Sequence, residues 1–447
     1  MKRFLFLLLI LTAAGCHNYS RNVLAVRSDF YQNNLERASE GLAKEKVKKA
    51  NAKSRDVMKL EEAMMLMCRG EFKRSETLLR EVRDQFDLLD AKRGQKGAEK
   101  AVSMLTDDCS VSYPGEDYEK VMIRAMLALT SVMTDGQDAK AYANQIHQKQ
   151  QEIIAQSETN PETNERVKDS YRRVALGPYL CGVIDQTSML DQNETIRQFE
   201  KVCQWAPDFM PGKILLEHAK TVNHSKKGDG VVQVFIMLGR GPYKVQTNAP
   251  VTQLSLLLTD QIVSAVSKHS VPPTLAPVPI PEVVMSPCRY TNVDVQINGK
   301  LASRTDTITD INRMAFEQFE VNRPWIIARA AARRLVKKAG IYGFKEAVKT
   351  DSPEGELLLD IVGILWEATE EADTRCWSLL PGRIQVARIE LPAGEYTLGL
   401  QAVAGNMGFD RSQVYTKPVR VVDGQNTYVF AYLADEGLLG QIQVNPR

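Results

Sequence analysis

The apolar pattern of the chain changes near its middle, and this change constrains the fold more than any other feature. From Phe30 to about Ala219, apolar residues recur at helical spacing in blocks of ~12–20 residues, which Gly, Asp and Pro separate. After a polar break at 223–229, short apolar or alternating runs between turn residues are typical of strands. The pattern predicts an α+β protein whose helices precede its strands.

Three stretches of the helical part share one layout, two apolar helical stripes joined by a tight turn. The first is 57–86, with Arg69-Gly70-Glu71-Phe72 as its turn, and the others are 118–148 and 179–207. Gly permits a tight turn, and small residues let paired helices approach each other. The layout resembles the tetratricopeptide repeat (TPR), so we expect a TPR-like repeat domain over 28–222. The alternative is an irregular helical bundle.

The C-terminal part, residues 228–447, is expected to be a β-sandwich-like domain with helical insertions. Val231 to Met237 is an apolar run typical of a buried strand. The alternating residues from Tyr290 to Leu301, with Asn298-Gly299 as the turn, predict a hairpin.

A helical insert is expected within this part at 309–370. Thr309 is a residue type favoured at helix N-caps, and an apolar stripe at helical spacing follows it. Pro324 interrupts the pattern, which leaves either one long helix or a broken helix pair.

The first sixteen residues have the layout of an export signal. Lys2 and Arg3 precede an apolar run from Phe4 to Leu11, far shorter than the ~20 residues that cross a bilayer. The run ends in Ala13-Ala14-Gly15-Cys16, which resembles the lipobox of bacterial lipoproteins. The alternative is a secretory signal without lipidation.

The lipobox resemblance implies where the protein is held. In such proteins the signal, here residues 1–15, is removed, and the new N-terminal cysteine, here Cys16, carries the acyl chains that anchor it. His17 follows, rather than the Asp that resembles an inner-membrane retention signal. We therefore expect a lipoprotein on the periplasmic face of the outer membrane, with 16–27 as a linker.

The charge balance disfavours a nucleic-acid partner. The chain has 57 basic and 55 acidic residues, and no acidic residue precedes Cys16. Removing Lys2 and Arg3 with the signal leaves 55 basic residues, so the mature chain has a formal net charge of zero. A nucleic-acid binder usually needs a basic excess or a basic patch.

No familiar catalytic, cofactor or metal motif occurs in the sequence. The chain lacks GxSxG and HExxH, and its five His residues are scattered. His218 and His224 lie six residues apart, which is not a same-face helical spacing for a metal pair. We expect a non-enzymatic protein without cofactor or metal, and an unfamiliar hydrolase remains the alternative.

Six cysteines remain once Cys16 is assigned to the anchor. None forms CxxC or has a His at ligand spacing, which disfavours zinc. Pairings of Cys68 with Cys109 and of Cys181 with Cys203 are compatible with disulfides across helical hairpins in the periplasm. The alternative is that all six are small buried apolar residues. The six are Cys68, Cys109, Cys181, Cys203, Cys288 and Cys376.

One short block, Asp373-Thr374-Arg375-Cys376-Trp377, combines charged residues with a tryptophan. Asp373 and Arg375 beside Trp377 are residue types that line ligand pockets. They suit equally a buried ion pair that holds a helix against the β part, with Trp377 in the core. We expect the structural role and keep the ligand site as the alternative.

Four further blocks carry a family resemblance: Tyr118–Ile123, Arg329–Arg333, Ala372–Pro381 and Leu391–Tyr396. They resemble an uncharacterised family of bacterial lipoproteins with a lipobox, TPR-like helices and a β-rich C-terminal part. The resemblance implies this architecture and location, and it brings no catalytic residue set.

These patterns together predict a lipid-anchored periplasmic scaffold. TPR-like arrays bind peptides or proteins on their surface, so the expected partners are the membrane, through the anchor, and another envelope protein. The alternative is a glycan or small-ligand binding module in the β-rich part, around Arg375 and Trp377.

Overall fold

The computed structural model describes residues 19–93, 111–161, 163–188, 191–221, 224–265, 271–348, 371–405 and 412–445. Cys16, Cys109 and residues 349–370 of the expected insert lie outside these ranges. The lipidation of Cys16 therefore stays a prediction, whereas the free thiol of Cys68 excludes the bridge expected between Cys68 and Cys109.

Helices form the N-terminal part, as predicted. In chain order they are α1 (Tyr19–Asn22), α2 (Leu24–Tyr31), α3 (Leu35–Val47), α4 (Arg55–Arg69), α5 (Phe72–Arg93), α6 (Asp117–Val132), α7 (Ala139–Ala155), α8 (Leu176–Ser188), α9 (Gln192–Trp205) and α10 (Met210–Thr221). A 3-10 helix, Lys49–Ser54, precedes α4.

Each of these helices packs mainly against its neighbours in sequence. The pairs α4–α5, α6–α7 and α8–α9 coincide with the three stretches that share a layout. Gly70 ends α4 at a φ of 80°, a left-handed conformation that lets α5 begin two residues later. The hydroxyl of Ser75 then donates to the carbonyl of Ala63 over 2.9 Å, which joins the two helices where both side chains are small.

Residues 19–27 differ from the linker expected at 16–27. They form α1 and the start of α2, and Tyr19, Val23 and Val26 are buried. Ser20 donates from its hydroxyl to the carbonyl of Lys244 over 2.7 Å. The prediction of a linker was wrong for these residues because three apolar side chains at helical spacing reach the core, while the polar residues between them remain outside.

Strands dominate the C-terminal part, also as predicted. They are β1 (Asp229–Arg240), β2 (Tyr243–Ala249), β3 (Val278–Val284), β4 (Tyr290–Ile297), β5 (Lys300–Arg304), β6 (Asp306–Asp310), β7 (Pro381–Pro392), β8 (Gly394–Ala404), β9 (Tyr415–Val421), β10 (Asn426–Ala434) and β11 (Gly437–Val444). Among the described residues, two helices interrupt them, α11 (Gln253–Ser264) and α12 (Ile311–Val348).

The strands form three sheets. One sheet has the order β11-β10-β1-β7-β6, a second has the order β5-β4-β8-β9, and β2 pairs with β3 alone. In the first sheet β1 runs parallel to β10 and antiparallel to β7. The predicted hairpin is confirmed as β4–β5, since Asn298 and Gly299 have φ values of 51° and 76°, as a two-residue hairpin turn requires.

The five-stranded sheet contributes to two apolar cores. Phe235 and Met237 of β1 belong to a core shared with the helices. Val234 and Ile236, which alternate with them, belong to a core shared with the four-stranded sheet. Because successive side chains of a strand point to opposite faces, this sheet lies between the helices and the other sheet.

The helical insert begins later than expected. Thr309 belongs to β6, and α12 starts at Ile311. Asp310 takes the capping role, since its carboxylate accepts the backbone N–H of Arg313 over 2.9 Å. Pro324 lies inside α12, so the described part of the insert forms one long helix. The expectation that Thr309 caps the helix was wrong because Thr309 belongs to β6, which pairs with β7, a strand distant in sequence.

The five described cysteines, Cys68, Cys181, Cys203, Cys288 and Cys376, are free thiols. The proposed bridge between Cys181 and Cys203 is therefore absent. Cys68, Cys181 and Cys376 are buried, as small apolar residues usually are. Burial raises the pKa of the Cys376 thiol to about 12, which keeps it protonated.

Candidate functional site

Residues 371–380, called the clasped segment here, run between α12 and β7 without regular structure and contact the helical part. Two buried glutamates from the helices bind its backbone. Glu61 of α4 accepts the N–H of Ser378 at 2.9 Å and that of Leu379 at 2.8 Å. Glu119 of α6 accepts the N–H of Trp377 at 2.6 Å. Three consecutive backbone donors are therefore satisfied by carboxylates more than 250 residues away in sequence.

Two buried tyrosines bind the carbonyls of the same segment. Tyr31 of α2 donates to the carbonyl of Ser378 over 3.2 Å. Tyr432 of β10 donates to the carbonyls of Leu379 and Leu380, at 3.3 Å and 3.1 Å. A buried loop needs such partners, because unpaired backbone groups away from water are costly.

The burial of the two glutamates changes their ionisation. Burial raises the pKa of Glu61 to about 7, and the hydrogen bonds from Ser378 limit the rise. Burial likewise raises the pKa of Glu119 to about 7, with a further contribution from the nearby Glu116. Both groups thus titrate close to neutral pH, in contact with the backbone that they bind.

In the predicted cluster, Asp373 and Arg375 form an ion pair, whereas the side chain of Trp377 packs in the core. Arg375 binds Asp373 through two hydrogen bonds, at 2.8 Å and 2.7 Å. Its guanidinium also donates to the carbonyls of Lys53 and Val111 and lies over the ring of Tyr113. Burial opposes the ionisation of Asp373, but the bonds from Arg375 hold its pKa below the usual range. The pair joins the clasped segment to the helical part.

Trp377 lies apart from any solvent-accessible surface. Its side chain is 0% exposed and packs in the core that the helices share with the five-stranded sheet. Its indole nitrogen has no hydrogen-bond partner among the described residues. Trp377 and Arg375 therefore face the protein interior, whereas Asp373 lines an open cavity.

That cavity is a cleft of about 330 Å³ between the helical part and the β part. Its walls are the N-terminal end of α6, the turn between α7 and α8, the β2–β3 ribbon, one face of α12 and the start of the clasped segment. The cleft is referred to below as the interdomain cleft. It lies within the size range of small-molecule sites.

Ion pairs fix the polar wall of the interdomain cleft. Lys168 binds Asp117 over 2.7 Å, and Lys244 binds Glu116. Tyr171 donates from its hydroxyl to Asp117 over 3.0 Å. Burial opposes the ionisation of Asp117, but Lys168 and other neighbours lower its pKa. Acids and bases of this wall are therefore paired with one another.

Sequence reasoning missed Glu61, Glu119 and the interdomain cleft. A signal for the glutamates was present, since each lies among residues that are apolar and buried on several sides of its helix. A carboxylate in such surroundings needs buried donors. The cleft left no comparable signal, because its walls come from five separate parts of the chain.

No family model matches the chain, and no curated protein and no solved structure matches it significantly. Within the described ranges, no cluster of three or more His, Cys, Asp or Glu residues is arranged to hold a metal ion. In the same ranges, no helix combines the length and apolar character needed to cross a bilayer.

Proposed function

We propose that the protein is a lipid-anchored scaffold of the bacterial cell envelope. In this proposal Cys16 attaches it to the periplasmic face of the outer membrane, and the body binds another envelope protein without catalysing a reaction. The lipobox-like residues 13–16 support the anchor. Since only His17 and Asn18 separate Cys16 from α1, the body would lie close to the membrane surface.

The proposal includes the finer description of the fold. Paired helices that pack on their sequence neighbours support a TPR-like array. Two sheets that share one apolar core support a sandwich-like β part. The clasped segment already contacts α4 and α6, so a partner would dock on another surface of the array.

An exposed apolar stripe on α10, the last helix of the array, carries the scaffold proposal. Met210 and Ile214 are 56% and 68% exposed and lie one helical turn apart. Leu215 and Ala219 of the same helix are buried. The terminal repeats of helical arrays usually present a polar outer face, so an apolar stripe there suits a protein partner.

Crosslinking and pull-down from intact envelopes test this proposal. The wild type should recover a defined protein partner, and the double variant Met210→Glu, Ile214→Glu should recover about tenfold less, since charges in a desolvated contact are costly. Leu301→Glu is the matched control, because Leu301 is 61% exposed but lies on β5. Absence of any protein partner, or equal recovery by the double variant, would contradict the scaffold role.

A second candidate function is favoured by one specific observation, the interdomain cleft. It is a concave, largely preformed cavity with both polar and apolar walls, as small-molecule sites usually have. The second proposal is therefore a binding module for a small ligand, glycans included, located in this cleft rather than around Trp377.

A further inference from the structure

We infer that the interdomain cleft binds an uncharged saccharide of one or two sugar rings, with Gln318 of α12 as a direct contact. The inference rests on the second proposed function, ligand binding in this cleft. It is independent of the scaffold role of α10.

Gln318 provides a polar group that the protein leaves unsatisfied. It lines the cleft, its side chain is only 6% exposed, and its Oε1 has no hydrogen-bond partner among the described residues. A buried amide oxygen without a donor is costly, and rotation of the Gln318 side chain toward the cavity that the residue lines would let a ligand supply that donor. A sugar hydroxyl can both donate and accept, and it therefore satisfies the amide in either orientation.

A row of polar groups continues from Gln318 along the same wall. Asn322, one turn further along α12, donates to the backbone carbonyl of Gln318 over 2.6 Å and to the hydroxyl of Tyr171 over 2.5 Å. Tyr171 in turn donates to Asp117. This chain of hydrogen bonds holds amide, hydroxyl and carboxylate groups at fixed positions, which suits a ligand that carries several hydroxyl groups.

The charges around the cleft disfavour an ionic ligand. Four acidic residues line it, Glu116, Asp117, Glu371 and Asp373, and they would oppose a phosphate or carboxylate. An ionised carboxylate group also brings no hydrogen-bond donor for the oxygen of Gln318. Five basic residues line the same cavity and would oppose a cation: Lys120, Lys168, Lys244, Arg329 and Arg333. An uncharged polar ligand meets neither penalty.

The apolar part of the wall suits the C–H faces of sugar rings. Phe319 and Ile326 of α12 and the prolines Pro279 and Pro281 of β3 line the cleft beside the polar row. Aromatic and aliphatic walls with a few fixed polar groups are the usual composition of a small-molecule site. The volume of about 330 Å³ limits the ligand to one or two rings.

Isothermal titration calorimetry on the full-length protein in detergent tests the inference. The probes are maltose, cellobiose and N,N′-diacetylchitobiose, with inorganic phosphate as the ionic comparison. At least one disaccharide should bind saturably with one site per chain. Gln318→Leu should weaken that binding about fivefold through the lost hydrogen bond, and it should not lower thermal stability, because the buried amide oxygen has no partner to lose.

The control is a second buried glutamine outside the cleft. Gln186 of α8 is 2% exposed and also has an unpartnered side-chain atom, so Gln186→Leu should leave saccharide binding unchanged. If Gln318→Leu does not fold, Gln318→Met replaces it.

The possible failures are distinguishable. Phosphate binding that Gln318→Leu reduces would overturn the saccharide class and keep a ligand site in the cleft. Failure of all four probes to bind would overturn both the inference and the second proposed function. Saccharide binding unaffected by Gln318→Leu and Gln318→Met would overturn the assignment of Gln318 and the cleft.

Discussion

At the scale of single residues, two buried carboxylates hold a loop in the interior by binding its backbone. Glu61 accepts from Ser378 and Leu379, and Glu119 accepts from Trp377. Each carboxylate loses hydration on burial and regains hydrogen bonds from the loop. The residues of the clasped segment therefore depend on α4 and α6 for their position.

Replacing Glu61 tests this dependence. Glu61→Ala leaves the N–H groups of Ser378 and Leu379 without their acceptor, so we expect the free energy of unfolding to fall by about 3 kcal/mol. Glu81→Ala is the control, since Glu81 is half exposed and pairs with Lys59 on the surface, and it should change stability by less than about 0.5 kcal/mol. Urea unfolding measures both, and equal effects would contradict the role of Glu61.

The raised pKa values predict a pH dependence of stability. Both glutamates have a pKa of about 7 in the folded protein and the usual value of ~4.5 when unfolded. Between these values the folded state binds more protons, so their contribution is complete below about pH 4.5 and is lost as the pH rises through about 7. Urea unfolding at about pH 5 and about pH 8 should show a shallower pH dependence for Glu61→Leu than for the wild type. An identical dependence would contradict the raised pKa of Glu61.

Residue roles could be predicted from sequence where they depend on local pattern alone. The run from Val231 to Met237 was expected to form a buried strand, and it is buried within β1. The role of Glu61 could not be predicted, because the Ser378 group that it binds lies 317 residues away.

At the scale of elements, close backbone contacts join the helices to the five-stranded sheet. Gly440 of β11 lies against the end of α4, and a Cβ added there would be 2.0 Å from the carbonyl oxygen of Cys68. The N–H of Gly440 donates to the side chain of Asn33 over 2.7 Å. Only glycine permits this approach.

A matched pair of glycines separates the energetic effect of this contact from that of backbone strain. Gly440 and Gly424 share a φ of +68°, but nothing lies within 4 Å of a Cβ added to Gly424. Gly424→Ala should cost about 1 kcal/mol from strain alone, and Gly440→Ala should cost at least ~2 kcal/mol more because α4 must move. Thermal unfolding of both variants measures the difference, and equal costs would show that the contact is unimportant.

Elements could be predicted where their signals are local. The Asn298-Gly299 hairpin needs only its own turn and was confirmed. The start of α12 could not be predicted, because it depends on the pairing of β6 with the distant β7. The helical conformation of residues 19–27 could not be predicted either, because it depends on contacts with distant residues such as Lys244.

At the scale of the whole molecule, the helical and β parts share one apolar core. The five-stranded sheet lies between the helices and the four-stranded sheet, and the clasped segment crosses from one part to the other. The order of helices and strands could be predicted, because apolar period is a local property. The position of the five-stranded sheet between the helices and the four-stranded sheet could not be predicted, because it depends on distant strand pairings such as that of β1 with β10.

The position of α1 against the body of the protein constrains the proposed anchoring. α1 begins at Tyr19, whose side chain is buried. The chain from Cys16 to Tyr19 therefore spans three residues, or at most ~11 Å when extended. Acylation of Cys16 would therefore hold the body at the membrane surface rather than on a long tether.

Acyl labelling with fractionation of Cys16→Ser in a bacterial host tests the anchored scaffold most directly. Cys203→Ser is the control, since Cys203 is a partly exposed free thiol far along the chain. We predict that the wild type and the control incorporate labelled fatty acid and sediment with the outer membrane, whereas Cys16→Ser loses the label and appears in the soluble fraction. A Cys16→Ser protein that keeps its label, or stays in the outer membrane as the wild type does, would contradict the account.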